Sequence, residues 1–180
     1  MNIDFNNKSI AVIGNAQYLF HRNYGGEIDK HDIIIRMNRA AMLYEKFDAQ
    51  QTHGSRTDVW AMWRHKEYEH VNINEPNTVI QMASWFAPDK PHVRLYEIKL
   101  LYKLIKNSQI ETPTTGLMVL DLISHFNTSR VSVYGFDWKE TPTFTDPLRK
   151  QDQETVHDFQ KEKIYCKNHF MENLGFVFRF

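Results

Sequence analysis

Short apolar runs separated by polar or glycine-containing segments recur along this 180-residue chain and predict its β-strands. The predicted strands cover residues 9–14, 33–37, 58–62, 78–83 and 130–136, with a last short strand over residues 177–180. Each run is almost continuously apolar, which is typical of parallel strands covered on both faces of a sheet. The pattern therefore predicts a buried, mostly parallel sheet.

Segments with apolar residues three and four positions apart predict the helices. Residues 94–106 are amphipathic, residues 115–126 follow a cap at Thr114 or Thr115, and residues 154–173 form a helix that Gly175 closes. Strands and helices alternate along the chain. We therefore expect residues 1–180 to form a single α/β domain, with a Rossmann-like, doubly wound sheet and helices on both faces.

Composition narrows the classes of function. Lysine plus arginine and aspartate plus glutamate both number 22, so the formal net charge is zero and the pI is about 7.1. This balance predicts no nucleic-acid partner. The polar N-terminal residues show no signal-peptide pattern, no apolar run could span a bilayer, and the single cysteine, Cys166, cannot form an intrachain disulfide. These features favour a cytoplasmic protein and leave its oligomeric state open.

Small and polar residues follow the predicted strands or precede a helix, where a doubly wound sheet binds its ligands. Six positions stand out: Gly14, Asn15, Asn38, Thr114, Thr115 and Gly116. Their amide, hydroxyl and backbone N–H groups suit a phosphate or carboxylate ligand. Taken singly, each position is as well explained by a turn or a helix cap. The glycines fit neither the dinucleotide-binding fingerprint nor a P-loop.

His157 is the candidate general base, because a neutral imidazole near pH 7 can accept a proton from a sugar hydroxyl. A surface histidine without a catalytic part is the alternative. Glu162 lies five residues further on, about 140° around a helix. We therefore expect Glu162 to face away from His157, unless His157 lies on the loop before the helix.

No metal ion is expected. His65 with His70, and Cys166 with His169, have neither the number nor the spacing of ligands that zinc needs. The chain also has no Asp-x-Asp, the usual metal clamp on a nucleotide-diphosphate sugar.

Two aromatic pairs are conspicuous in the middle of the chain. They are Trp60 with Trp63 and Trp85 with Phe86. A place in the core or in the wall of an acceptor site explains them better than a nucleic-acid stacking platform.

Taken in order, three segments resemble the sialylmotifs of glycosyltransferase family 29. Residues 10–40, IAVIGNAQYLFHRNYGGEIDKHDIIIRMNRA, resemble the large motif, which residues 54–57, GSRT, close. Residues 112–138, TPTTGLMVLDLISHFNTSRVSVYGFDW, resemble the small motif. Residues 156–162, VHDFQKE, resemble the very small motif with its H-x-x-x-x-E.

The resemblance implies a GT-A-related variant of the Rossmann-like fold and a CMP-linked sugar donor, normally CMP-sialic acid. Asn15 and Asn38 would contact the phosphate and ribose region of CMP, and the turn Thr114–Gly116 would hold the cytidine and the sugar. His157 would deprotonate the acceptor hydroxyl of a glycan or glycolipid, which then attacks the anomeric carbon with inversion. Neither a cofactor nor a metal ion is implied.

Three departures from the family pattern keep alternatives open. Ile10 and Thr128 stand where animal members have a disulfide, which fits a cytoplasmic, bacterial-type enzyme. The His-Tyr of the third motif is missing from residues 140–145, and Thr112 replaces an aromatic residue. The alternatives are a transferase of CMP-Kdo or a related 2-keto sugar acid in lipopolysaccharide or capsule synthesis, and a CMP-sugar-binding module without catalysis. A glycolipid acceptor would place the protein peripherally at the inner membrane.

Overall fold

The computed structural model describes residues 4–43, 49–64, 76, 78–88, 90–141 and 156–180. Within these ranges, seven strands form one parallel sheet in the order β5-β4-β3-β2-β1-β6-β7. The strands are β1 Ser9–Ile13, β2 Ile33–Met37, β3 Val59–Met62, β4 Thr78–Gln81, β5 Val93–Leu95, β6 Arg130–Tyr134 and β7 Val177–Arg179. The parallel sheet predicted from the apolar runs is confirmed.

Helices accompany the strands along the described ranges, and none is long and apolar enough to span a bilayer. The α-helices are α1 Gly25–Ile28, α2 Ala40–Leu43, α3 Gln50–His53, α4 Ile98–Ser108, α5 Thr115–Ser124 and α6 Phe159–Tyr165. A 3-10 helix covers Gln17–His21, and a π-helix covers Cys166–Asn173.

The core lies on both faces of the sheet, because successive residues of a strand point to opposite sides. Ile10 and Val12 of β1 belong to the larger cluster, with residues of α4, α5 and the π-helix. Ala11 and Ile13 belong to a second cluster, with Leu19 of the 3-10 helix and residues of α1 and β6. Each of these five side chains is fully buried. The doubly wound arrangement is therefore confirmed.

Two predicted helices begin at different residues in the structure. Residues 93–95 form β5, because Val93 pairs with Val79 of β4, and the helix predicted over residues 94–106 is α4. The helix predicted over residues 154–173 begins at Phe159, and residues 154 and 155 lie outside the described ranges. The Asp158 carboxylate accepts a hydrogen bond from Lys161 N at 3.0 Å, so Asp158 is the N-cap. Residue 157 therefore precedes the helix.

Other differences are smaller. β4 and β6 end two residues before the predicted ends, and β7 ends one residue before. The four-residue helices α1, α2 and α3 are missing from the sequence prediction, because so short a segment shows no helical period.

The chain reverses its direction of progress across the sheet next to β1. It builds outward from β1 to β5 on one side and then returns to place β6 on the other side of β1. Ligands bind at the carboxyl ends of the strands at such a switch point. The segments that follow β1 and β6 remain hydrogen-bonded to each other beyond the strands. Gly14 N donates to Tyr134 O at 2.7 Å, and Ala16 N donates to Gly135 O at 3.2 Å.

Adjacent glycines in α1 provide a matched test of the packing between α1 and α3. A Cβ on Gly25 would lie 1.9 Å from Gln50 O, whereas a Cβ on Gly26 meets nothing within 4 Å among the described residues. We expect Gly25→Ala to lower the free energy of unfolding by about 3 kcal/mol. Gly26→Ala should have a free energy of unfolding equal to or slightly above that of the wild type, because alanine favours a helix. Urea denaturation of both variants measures this, and equal stabilities would contradict the packing.

Candidate active site

Asn15 and Asn38 follow neighbouring strands at the carboxyl edge of the sheet. The last paired residues of the two strands are Ile13 of β1 and Arg36 of β2, and Asn15 and Asn38 each come two residues later. Neighbouring strands are about 4.8 Å apart. Both residues are half-buried. The structure thus places these two candidate binding residues just beyond the ends of neighbouring strands.

Asn38 is held in an unusual backbone conformation by three hydrogen bonds. Its φ is 47°, in the left-handed region that asparagine tolerates better than most residues. Asn38 N donates to Ala61 O at 2.8 Å, Trp63 N donates to the Asn38 side-chain oxygen at 3.0 Å, and Trp60 Nε1 donates to Asn38 O at 2.9 Å. Because the side-chain oxygen faces Trp63, the NH₂ group is the side chain's donor toward a ligand.

Arg36 explains why the segment before Asn38 carries a charged residue inside a strand. Its side chain is only 1% exposed and donates Nη2 to His53 O at 2.6 Å and Nε to Thr57 Oγ1 at 3.0 Å. These bonds tie β2 to the loop over residues 54–57 that closes the large motif. Burial, and then the charge of Arg36, lowers the pKa of His53 to about 4, so that imidazole is neutral at pH 7.

The Phe136 ring lies between the large and small motifs. A Cβ on Gly14 would lie 2.9 Å from Cδ2 of this ring, and a Cβ on Gly116 would lie 2.9 Å from its Cε1. Both glycines therefore allow a close approach that a side chain would prevent. The ring thus packs against both Gly116, at the start of α5, and Gly14, which follows β1.

Helix α5 begins at this crevice, and Thr114 caps it. Leu117 N donates to Thr114 Oγ1 at 3.1 Å. The first backbone N–H groups of a helix have no partner within the helix, so those of Thr115 and Gly116 can serve an anion there. The Thr114 hydroxyl itself is engaged by the protein, and its proton points to Glu162.

Glu162 joins the very small motif to the small motif. Thr114 N donates to its Oε1 at 2.7 Å, and Thr114 Oγ1 donates to its Oε2 at 2.8 Å. The Glu162 side chain is only 3% exposed. Glu162 was expected to face away from His157 if both residues lay within one helix. In the structure His157 precedes the helix, and both residues contact the segment over residues 112–114.

Burial dominates the ionisation of Glu162. Loss of water raises the pKa of this carboxyl to about 7, although both hydrogen bonds from Thr114 lower it and the charge of Asp158 adds a small increase. The carboxylate form is the one that both donors of Thr114 stabilise. The bond between the two motifs is consequently sensitive to pH near neutrality.

His157 is oriented by the residue before the Pro113 turn. Its Nδ1 donates to Thr112 O at 2.7 Å, and Thr112 Oγ1 donates in turn to Val156 O. A carbonyl oxygen can only accept, so Nδ1 carries the proton and Nε2 carries the lone pair in the neutral ring. This tautomer is the one that a base acting through Nε2 requires.

The structure thus brings the candidate residues to one edge of the sheet. Phe136, Thr112 and the partner of Glu162 were not identified from the sequence alone. Phe136 is the last residue of the V-Y-G-F segment, and its place in that segment was the one sequence feature that could have identified it. Thr112 and the Thr114 contact with Glu162 depend on residues 44 to 48 positions apart, which no local pattern encodes.

Metal ligands and a cysteine nucleophile are not part of this geometry. Among the described residues, no group of three or more His, Cys, Asp or Glu side chains could hold a metal ion. Cys166 is buried in the core, and burial raises the pKa of its thiol to about 12. A protonated, inaccessible thiol is not a nucleophile.

Comparisons with known proteins connect this geometry to one family. The model of glycosyltransferase family 29 (sialyltransferase) matches residues 5–77, which contain Gly14, Asn15 and Asn38. The type 2 lactosamine α-2,3-sialyltransferase of Rattus norvegicus is 24% identical over 210 aligned residues, which cover 89% of this chain and 61% of the relative. Over residues 5–77, the chain is therefore similar to glycosyltransferase family 29.

Solved structures of the family show the same fold. A mammalian sialyltransferase in complex with Gal-β-1-3GalNAc-ortho-nitrophenol matches with a TM-score of 0.67 at 19% identity. The match covers 96% of this chain and 69% of that one. The Rossmann-like α/β arrangement is therefore that of the sialyltransferase structures.

A second relative carries a different activity in its name. The β-1,6-galactosyltransferase GALT29A of Arabidopsis thaliana is 43% identical over 51 residues, which cover 28% of this chain and 12% of the relative. The chain spans less than two thirds of the length of both curated relatives.

The raised pKa of Glu162 predicts a specific pH dependence of stability. Folding raises this pKa from 4.5 to about 7, so the folded protein binds the proton more tightly and stability falls as the pH rises between these values. Between pH 4.5 and pH 8, the free energy of unfolding should therefore fall in the wild type by about 3 kcal/mol more than it falls in Glu162→Gln.

Urea denaturation at several pH values measures this difference. Glu172→Gln is the matched control, because Glu172 is exposed and should keep the wild-type profile. His53 titrates in all three proteins and cancels from the comparison. Parallel profiles for the wild type and Glu162→Gln would show that Glu162 titrates normally.

Proposed function

We propose that this protein transfers sialic acid from CMP-sialic acid to a hydroxyl of a galactose-terminated glycan, with inversion and without a metal ion. The observation that carries the proposal is the hydrogen bond from His157 Nδ1 to Thr112 O, beside the Thr114–Gly116 turn. This bond places the proton of the neutral ring on Nδ1 and the lone pair on Nε2. The match to the family model over residues 5–77 and the name of the rat relative support the donor class.

His157 acts as the general base in this mechanism. Its Nε2 takes the proton of the acceptor hydroxyl while that oxygen forms a bond to the anomeric carbon. The bond from the anomeric carbon to the phosphate oxygen breaks on the opposite face, and its electron pair leaves with CMP. Attack and departure on opposite faces invert the anomeric centre.

The leaving group needs only modest stabilisation. CMP departs with one phosphate, and the anomeric carbon of a 2-keto sugar acid readily develops oxocarbenium character. The amides of Asn15 and Asn38 and the N–H groups at the start of α5 are the donors that would meet the phosphate. The chain's lack of Asp-x-Asp is consistent with such a metal-independent departure.

A second candidate is transfer of galactose from a nucleotide sugar. The identity of 43% to the Arabidopsis galactosyltransferase over 51 residues favours testing it. The two candidates differ in the nucleotide that the crevice binds. For the CMP-sugar candidate, comparing the turnover of CMP-sialic acid with that of CMP-Kdo distinguishes the two sugar acids.

The proposal of a cytoplasmic enzyme rests on the single cysteine of the chain.

Calorimetric titration with nucleotides in EDTA tests the donor class. We expect the protein to bind CMP at least about 10-fold more tightly than UDP, CDP or NAD. EDTA should leave CMP affinity unchanged, because amides and a helix N-terminus make the contacts. Selective binding of UDP would favour the galactosyltransferase candidate. Loss of CMP binding in EDTA that divalent metal restores would overturn the metal-independent mechanism.

Substitution of His157 tests the base. His157→Ala should retain CMP affinity and lose transfer by about 100-fold or more, the usual contribution of general base catalysis. His92→Ala, at an exposed position before β5, is the matched control and should transfer sugar as the wild type does. Transfer that persists unchanged in His157→Ala would refute the assignment, and a fall in CMP affinity would make His157 a binding residue.

A further inference from the structure

An aromatic platform borders the crevice on the side of β3 and β4. We define it as Trp63, Trp85 and Phe86, together with Arg64. The Trp63 and Trp85 rings meet edge to face with centroids 5.1 Å apart, and the Arg64 guanidinium lies 4.1 Å from the Phe86 centroid. Arg64 covers one face of Phe86, whereas Trp85 remains 49% exposed. An indole this exposed on a fixed partner is a surface for a ligand with an apolar face.

The turn that presents Trp85 is fixed from within the core. Gln81, at the end of β4, is fully buried, and its Nε2 donates to Ala83 O at 3.2 Å and to Phe86 O at 3.0 Å. Ala83 N donates to Trp63 O at 2.8 Å, which attaches the turn to the end of β3. A buried amide that satisfies two carbonyls holds Trp85 in one place before any ligand arrives.

The platform is continuous with the proposed donor site. The backbone N–H of Trp63 donates to the side-chain oxygen of Asn38 at 3.0 Å, so the backbone that carries the first ring of the platform is hydrogen-bonded to one of the candidate phosphate ligands. β3 is two strands from β1, which separates Trp63 from Gly14 by roughly 10 Å. That distance lies beyond the reacting sugar and within reach of the next sugar unit of an acceptor.

We propose that the platform is an acceptor subsite, in which Trp85 stacks against a pyranose ring next to the reacting sugar of the acceptor glycan. This inference rests on the proposed function and extends it to the acceptor. The C–H groups on one face of a galactose-type ring carry partial positive charge and pack against the negative face of an indole. Sugar hydroxyls at the ring edge stay in water, which suits a half-exposed platform.

The charge and position of the platform favour a neutral sugar over the donor nucleotide. Asn15 follows β1, and Phe136, on which the start of α5 packs, follows β6, so both lie on the opposite side of Asn38 from the platform. Among the described residues, the platform offers one cation, Arg64, and that cation already stacks on Phe86. A base stacked on Trp85 is the competing possibility, and the experiment below separates it.

The test compares a disaccharide with a monosaccharide. Wild-type protein saturated with CMP is titrated with Gal-β-1-3GalNAc and with methyl β-galactoside, and the titrations are repeated with Trp85→Ala, Trp85→Phe and Tyr102→Ala. We expect the wild type to bind the disaccharide more tightly than the monosaccharide. Trp85→Ala should lose about 10-fold in affinity for the disaccharide and keep its affinity for the monosaccharide, whereas Trp85→Phe should retain most of its affinity for the disaccharide. Tyr102, an exposed aromatic residue on α4, is the matched control and should have no effect.

Each outcome bears on one of the two proposals. Equal disaccharide affinity for the wild type and Trp85→Ala, or no measurable glycan binding by a wild type that binds CMP, overturns the subsite and leaves the proposed donor intact. A loss of CMP affinity in Trp85→Ala assigns Trp85 to the nucleotide and also overturns the subsite. A wild type that binds no CMP refutes the proposed function, whereas Trp85-dependent binding of the disaccharide alone would still support the platform.

Discussion

Two hydrogen bonds from Thr114 to the buried carboxylate of Glu162 hold the candidate active site together. They join residues 48 positions apart and connect the start of α5 to the first turn of α6. His157 lies just before α6 and donates to Thr112, two residues before Thr114. The orientation of His157, the candidate base, therefore depends on the same short segment, residues 112–114, that Glu162 binds. Together these hydrogen bonds fix His157 relative to the start of α5.

Burying the carboxylate of Glu162 at the candidate active site costs free energy. A carboxylate that is 3% exposed loses nearly all its water, and two donors compensate only part of that loss, as the raised pKa of Glu162 indicates. An apolar side chain would fill the space without such a cost but could not fix the position of Thr114 N. The carboxylate contributes a defined geometry, and the hydrogen bonds give the contact its direction.

Missing side chains shape the crevice as much as the polar groups do. Gly14 and Gly116 contact opposite parts of the Phe136 ring, and Gly135, at a φ of 70°, carries the chain from β6 into this contact. A Cβ on Gly14 would come within 2.2 Å of Gly135 O. The close contacts at this edge of the sheet are thus made by residues without a side chain, and a Cβ would prevent them.

Local patterns in the sequence determined the sheet and the residues at its edge. Apolar runs identify six of the strands, since a strand buried on both faces needs continuous apolar residues, and the alternation with helices implies the parallel order. Parallel strands end at the same edge, which places Asn15 and Asn38 just beyond the carboxyl ends of neighbouring strands. Only the tertiary structure decided that Val93 starts a strand, that Glu162 binds Thr114, and that His157 precedes its helix. These features depend on ladder pairing, burial and capping between distant parts of the chain, and such contacts leave no period in the sequence.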